Sequence, residues 1–268
     1  MLRAWSRRRR CAHPPPACVT LGAARRQAAA LSQCRSAAHS GHLAPLLWHD
    51  RDVDDYYARR APEYDRIYER PERQADLRAI RAWLGPQFQG RRVLDVACGT
   101  GYWTPVIAAH AESLWGVDTA EATLQIARGR PLPAGSRARF DVGDAYALPR
   151  AQPACNAAFA GFWISHVPSL RLREFLQGLH AVLEPGSVVV FLDNLYVPGS
   201  STHVSEPDEN GDTWQWRTLT DGSRHRVLKN FPGQAQLREA LDTLATQADY
   251  LHWDHYWALR WTTADTPP

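Results

Sequence analysis

Two patches of this sequence carry residue types that could do chemistry. The first is the run Val93-Leu-Asp-Val-Ala-Cys-Gly-Thr-Gly-Tyr-Trp-Thr104, which passes from an apolar strand pattern into a small-residue turn. Gly99 and Gly101 permit positive φ and close approach of a ligand to the backbone, and the helix expected after them offers unpaired N–H groups. Such a loop suits a cofactor. The second patch is His166, in the loop Ile164-Ser-His-Val-Pro168, with Asp193 at the end of the apolar run that starts at Val188. Both should follow central strands, at the edge where doubly wound sheets carry their ligand crevice. A histidine there can take a proton near neutral pH.

The glycine spacing admits two cofactor readings. Nicotinamide binding needs Gly-x-Gly-x-x-Gly, and Thr104 stands at the third position, so that fingerprint is incomplete. Asp95 ahead of the glycines, together with Asp118 at the end of the second apolar run Leu114-Trp-Gly-Val-Asp118, resembles motif I and the acidic ribose clamp of class I S-adenosylmethionine-dependent methyltransferases of the small-molecule type. The resemblance spans roughly Tyr56 to Thr262. It departs from the family pattern where Ala97 replaces a common glycine, and alanine is small enough to fit.

The resemblance implies S-adenosyl-L-methionine as cofactor and methyl transfer to an oxygen, nitrogen or sulfur atom of a small molecule. It implies that Asp95, Ala97, Gly99 and Gly101 surround the cofactor, with Asp118 and Thr119 at the ribose. Asp144 would meet the adenine amino group, the backbone N–H of Ala145 the ring, and Tyr64 would come from a lid over residues 54–70. Plainer readings stand beside these: Asp118 as a cap of the helix near Ala120, Asp144 in an Asx turn, and Tyr56, Tyr57 and Tyr64 as packing residues. His166 is the first candidate for a general base and Asp193 the second. The alternatives are a histidine tied to a backbone carbonyl, and a pocket that only desolvates an already ionised acceptor. Two other functions share the fold. A cofactor-binding scaffold without catalysis would keep the same loop, whereas aminopropyl transfer would need a paired acidic motif that the sequence lacks.

The elements that must position these groups can be followed along the chain. Leu77, Ile80, Trp83 and Leu84 recur at helical spacing before Gly85-Pro86, and a helix is expected from Tyr102 to Ala111. Strand three is expected over Arg137–Val142 and strand four over Cys155–Trp163. A helix from Leu172 to Leu183 and the strand Val188–Leu192 follow. Residues 196–232 form an insertion after strand five, with Asp221-Gly222 as a hairpin turn. It brings Trp214, Trp216, Arg217, His225, Arg226 and Lys229, a mixture of aromatics and cations that suits a planar or acidic acceptor if it covers the pocket. A solvent-facing hairpin is the alternative. A helix over Gln234–Thr246 and two last strands, Asp249–His252 and Tyr256–Trp261, complete the order. The fold expected is one Rossmann-like α/β domain: a seven-stranded, mostly parallel sheet, helices on both faces, and the β-hairpin insertion after strand five.

Composition sets the outer limits. The chain has 268 residues, 44% hydrophobic and 22% charged, which fits one soluble α/β domain. Its formal charge of +3 comes from residues 1–49, which hold eight arginines and no acid; removing those eight from 31 bases leaves 23 against 28 acids. A nucleic-acid surface is therefore not expected over residues 50–268. Residues 1–49 read as a disordered, dispensable Arg/Ala-rich leader, resembling either a mitochondrial transit segment of an otherwise cytoplasmic protein or translated upstream sequence. No apolar run approaches the length of a membrane span. The five cysteines show no Cys-x-x-Cys and no histidine pairing that suggests zinc, which fits a reduced compartment. Oligomeric state has no signature in the sequence.

Overall fold

The computed structural model describes residues 56–264; the expected leader and the first residues of the expected lid lie outside that range. The strands are β1 (Arg92–Val96), β2 (Ser113–Asp118), β3 (Ala138–Val142), β4 (Cys155–Gly161), β5 (Leu183–Asn194), β6 (Trp214–Thr218), β7 (Arg224–Leu228), β8 (Ala245–His252) and β9 (Tyr256–Thr263). Seven of them form one sheet in the order β3-β2-β1-β4-β5-β9-β8. Strands β1 to β5 pair in parallel, and β9 runs antiparallel to both of its neighbours. The central strands are apolar on both sides, as a sheet covered on both faces requires. Val189 and Phe191 join one core, while Val188, Val190 and Leu192 join the other.

The helices are α1 (Gln74–Leu84), α2 (Thr104–Ala108), α3 (Glu121–Arg128), α4 (Leu172–Val182) and α5 (Gln234–Ala240). Leu77, Ile80 and Leu84 of α1, Ile107 of α2, and Leu124 and Ala127 of α3 pack on one face of the sheet. Phe175, Leu176 and Leu179 of α4 and Leu237 of α5 pack on the other. Each such large apolar side chain contributes about 1.5–3 kcal/mol on burial. The expected architecture is thus observed, with helices on both faces.

Several boundaries differ from expectation. The helix expected over Tyr102–Ala111 is only Thr104–Ala108, because Trp103 stands at its N-cap and Pro105 sits in its first turn. The helix from Gln234 stops at Ala240, and β8 begins at Ala245 rather than at Asp249. Thr243 takes a left-handed backbone, φ 67°, in the turn between them. Strand β5 starts at Leu183, so Pro185-Gly186 lies inside the strand instead of before it. The insertion does form a hairpin, β6 with β7, in a separate two-stranded sheet.

The strand order reverses between β1 and β4: β2 and β3 lie outward of β1 on one side, and β5 lies outward of β4 on the other. Loops leaving the carboxyl ends of those two strands must diverge, and the space between them is the crevice. Residues 56–60, which are helical, and a 3-10 helix from Ala61 to Tyr68 run across it. Among the described residues, no helix is long and apolar enough to cross a membrane.

Candidate active site

The loop after β1 holds three residues in left-handed conformation: Ala97 at φ 51°, Gly99 at 55° and Gly101 at 68°. The two glycines serve different ends. A Cβ on Gly99 would meet nothing within 4 Å, so this residue leaves open space toward the crevice; a Cβ on Gly101 would lie 3.0 Å from Ala127 Cβ, so that glycine lets α3 pack against the loop. Ala97 adopts, at some steric cost, the backbone that a glycine takes freely.

Parallel pairing of Val96 with Val117 sets Asp118 beside this loop. The Gly99 N–H donates to Asp118 Oδ2 at 2.9 Å, while Oδ1 accepts from the Ala120 N–H at 2.9 Å and the Thr123 hydroxyl at 3.1 Å. Asp118 thus ties down the turn ahead of α3 without capping it, since Ala120 stands at the N-cap and no side chain caps that helix, and the same half-buried carboxylate faces the crevice. Asp144 likewise makes an Asx turn, accepting from the Tyr146 N–H at 2.8 Å, while it remains exposed at the crevice edge.

The crevice is a cavity of about 480 Å³. It brings together Tyr64, Ala97, Gly99, Asp118, Thr119, Asp144, Ala145 and His166 from the sequence candidates. Asp95 and Gly101 stay behind its wall. Asp95 is 2% exposed; burial first, and the charge of Asp118 second, raise its pKa to about 8. The lid segment closes over the loop: Asp65 accepts from the Thr100 hydroxyl at 2.6 Å and pairs with Arg130, and Tyr68 stacks on Tyr102 with centroids 3.5 Å apart. Tyr57 and Tyr64 line the cavity, whereas Tyr56 packs with Leu219 and Val227 of the insertion.

His166 ends the loop after β4. Its Nδ1–H donates to the Leu228 carbonyl at 2.7 Å, which leaves Nε2 as the acceptor of the Tyr57 hydroxyl at 2.8 Å. The backbone tether was one of the plainer expectations, and it fixes the tautomer that a base would need. Burial, and then the ammonium of Lys229, hold the imidazole well below its usual pKa, so the ring is neutral. Burial also raises the Tyr57 phenol well above its ordinary value.

Asp193 is not at the cavity. It is fully buried, accepting from the Ser165 N–H and hydroxyl at 3.0 Å each and facing Lys229 Nζ at 3.2 Å. Lys229, the chain's only lysine, also donates to Ser165 Oγ. Burial alone would raise the Asp193 pKa, but Lys229 and the N–H groups of Ser165 and Asn194 outweigh it and hold the carboxylate ionised. With its lone pairs so engaged, Asp193 anchors the loop that carries His166 and does not present itself to a ligand. The insertion is divided in the same way. Trp214 lines the main cavity, Arg217 and Lys229 line a smaller one beside it, and Trp216 is 57% exposed.

Sequence reasoning missed Phe162, Arg60 and Arg73. Phe162 lines both cavities with a left-handed backbone, φ 61°, a strain that clusters at functional sites. No local pattern marks it, since it simply ends an apolar run.

A family model described as a methyltransferase domain matches residues 93–186. A malonyl-[acyl-carrier protein] O-methyltransferase of Serratia marcescens is 27% identical over 191 residues, 70% of this chain and 65% of that protein. A tRNA U34 carboxymethyltransferase of Idiomarina loihiensis is 35% identical over 126 residues, 45% of this chain and 38% of the relative. The matches thus span less than two thirds of either relative. Among solved structures, the DhpI complex with S-adenosylhomocysteine (SAH) superposes with a TM-score of 0.65 at 25% identity, covering 81% of this chain and 97% of that one. With the glycine loop, the strand order and the acid after β2, these likenesses show a methyltransferase domain over residues 93–186 and a fold shared with class I S-adenosylmethionine-dependent methyltransferases.

Proposed function

We propose that this protein transfers a methyl group from S-adenosyl-L-methionine to an oxygen, nitrogen or sulfur atom of a small-molecule acceptor of planar or acidic character. The observation that carries the reading is the single cavity of about 480 Å³ in which Gly99, Asp118 and Asp144 face His166 and Tyr57. The residues fit the cofactor: Gly99 leaves room where a side chain would intrude, and Asp118 and Asp144 offer acceptor oxygens. Asp118 and Thr119 would hold the ribose, Asp144 and Ala145 the adenine, and Ala97, Gly99 and Tyr64 the remainder. Asp95 and Gly101 support the loop from behind. When bound, the sulfonium supplies an activated methyl carbon, whose bond to sulfur breaks as the acceptor's lone pair takes it, leaving SAH.

The protein's part is then largely to hold the acceptor in line and keep water out. The lid and hairpin serve that end. A proton on the acceptor atom would pass to His166 Nε2 once the Tyr57 hydroxyl, which donates to that nitrogen at 2.8 Å, turns away from it, and from there to solvent. The excess of acids over bases in residues 50–268 argues against a nucleic-acid acceptor. We take those residues as the catalytic unit, in the cytoplasm or, if residues 1–49 direct import, in mitochondria.

Calorimetry with the purified protein tests the cofactor assignment. Binding of S-adenosylmethionine and SAH is expected, without binding of NAD. Heat with NAD but with neither of the others would move the assignment to an oxidoreductase.

A further inference from the structure

Beside the main cavity lies a second one of about 70 Å³, separated from it by Tyr57, Tyr64, Phe162 and His166, which line both. That volume holds a few water molecules or one small polar head group. Its charge is one-sided: Arg60, Arg70, Arg73, Arg217 and Lys229 contribute to the wall, and no carboxylate does. Two of these cations are balanced from outside. Lys229 faces Asp193 at 3.2 Å, and Arg70 faces Glu72 at 3.8 Å.

The other three are not balanced, since no ion pair joins Arg60, Arg73 or Arg217 to an acid among the described residues. Arg73 is only 7% exposed, yet its guanidinium meets neutral partners, Asn194 Oδ1 at 3.0 Å and Ser200 Oγ at 3.2 Å, while its Nε has none. Arg217 donates to Gln215 Oε1, and its buried Nε also lacks a partner. Arg60 lies over the Tyr64 ring at 5.0 Å. Burying a guanidinium without a counter-charge is costly, and a planar fork of N–H donors matches a carboxylate or phosphoryl group better than any neutral ligand.

From this we infer that the methyl acceptor is a small organic anion whose carboxylate or phosphoryl oxygens lie between Arg73 and Arg217, with Arg60 and Lys229 adding to the positive field. The inference rests on the methyltransferase reading and specifies its acceptor. The anion is the anchor. It places the rest of the molecule against the shared wall, where Tyr57 and His166 meet the main cavity.

The test is calorimetry on the full chain, first with SAH, then with inorganic phosphate and with acetate in the presence of saturating SAH. A head group of four or five heavy atoms should bind with a Kd of about 1 mM. The tighter of the two probes identifies phosphoryl or carboxylate as the preferred group. Arg217→Gln and Arg73→Gln should each weaken anion binding roughly tenfold or more, with SAH affinity little changed in both and the unfolding temperature little changed in Arg217→Gln. Because Arg73 also holds Asn194 and Ser200, Arg217→Gln is the cleaner of the two. If SAH binds but neither anion does, or if anion binding is the same in both variants, the inference is overturned while the cofactor assignment stands. If SAH itself fails to bind, both fall.

Discussion

The two sides of the crevice are built differently. On the cofactor side, each group follows directly from the strand that delivers it, and its partners are close in sequence: the Gly99 N–H meets a carboxylate 19 residues on, and Asp118 accepts from the Ala120 N–H two residues later. On the acceptor side the contacts join distant segments. Tyr57 reaches His166 across 109 residues, Arg73 reaches Asn194 across 121, and His166 reaches Leu228 across 62. A side assembled from local rules is fixed once the strands pair. A side assembled from a lid, a loop and an insertion depends on all three being seated, and it can be altered without touching the other.

The largest effect separating the two sides should come from His166→Ala. Loss of a general base predicts a fall in turnover of ~10²–10⁴-fold with cofactor affinity nearly unchanged. The pH profile sharpens the point. The folded pKa of His166 is depressed by burial and Lys229, so the ring stays unprotonated below the ordinary imidazole value. Wild-type turnover should therefore not fall as pH drops through ~6.5, and steady-state rates between neutral pH and that value check this. An acid limb centred there would show an imidazole that titrates normally.

Next in size is Lys229→Met, which leaves Asp193 charged and buried without its partner. Breaking such a pair costs about 3–5 kcal/mol, readable by denaturant unfolding. If the variant is as stable as the parent, the buried pair does not secure the acceptor side.

Asp95 makes the matching test behind the cofactor loop. Its folded pKa, raised to about 8, exceeds the unfolded value, so the native state keeps a proton that the unfolded chain has released. Stability from this group is present below the unfolded pKa and is lost as pH rises through the folded one, with a slope of up to ~1.4 kcal/mol per pH unit in between. Unfolding of the cofactor-free protein at pH 5 and pH 8 should show that loss, and Asp95→Asn should flatten it.

How much of this was legible in the sequence follows from the same division. The apolar run around Asp95 and those ending in Asp118 and Asp193 marked β1, β2 and β5, and Asp221-Gly222 marked the hairpin, because strand burial and turn chemistry are local. Gly99, Asp118 and Asp144, proposed for the cofactor side, line the crevice as expected, since each sits at a fixed offset from a strand end. Arg73 was hidden because an arginine at the start of a helix ordinarily reads as solvated, and its burial comes from Asn194 and Ser200. Asp193 was misread as a free acid at the crevice because nothing near it in sequence announces Lys229, 36 residues away.

Two smaller changes probe the cofactor side alone. Asp118→Ala removes a carboxylate proposed to face the ribose and should weaken S-adenosylmethionine binding by ~1.5–3 kcal/mol, measured by calorimetry, while anion binding at the neighbouring cavity is retained. Ala97→Gly relieves a left-handed alanine at φ 51°. Offset by the greater freedom of glycine in the unfolded chain, it should stabilise the protein by about 0.5–1 kcal/mol, seen as a higher unfolding midpoint. A destabilised Ala97→Gly variant would mean that the methyl group's packing outweighs the backbone strain.

The most direct test of methyl transfer is the accumulation of SAH from S-adenosylmethionine with a panel of small carboxylates and phosphoryl compounds, each paired with its neutral amide or ester. Product is expected with at least one anionic member, absent with its neutral counterpart and reduced in Arg217→Gln. Tight binding of SAH with no turnover on any member of the panel would contradict it and make the protein a cofactor-binding scaffold.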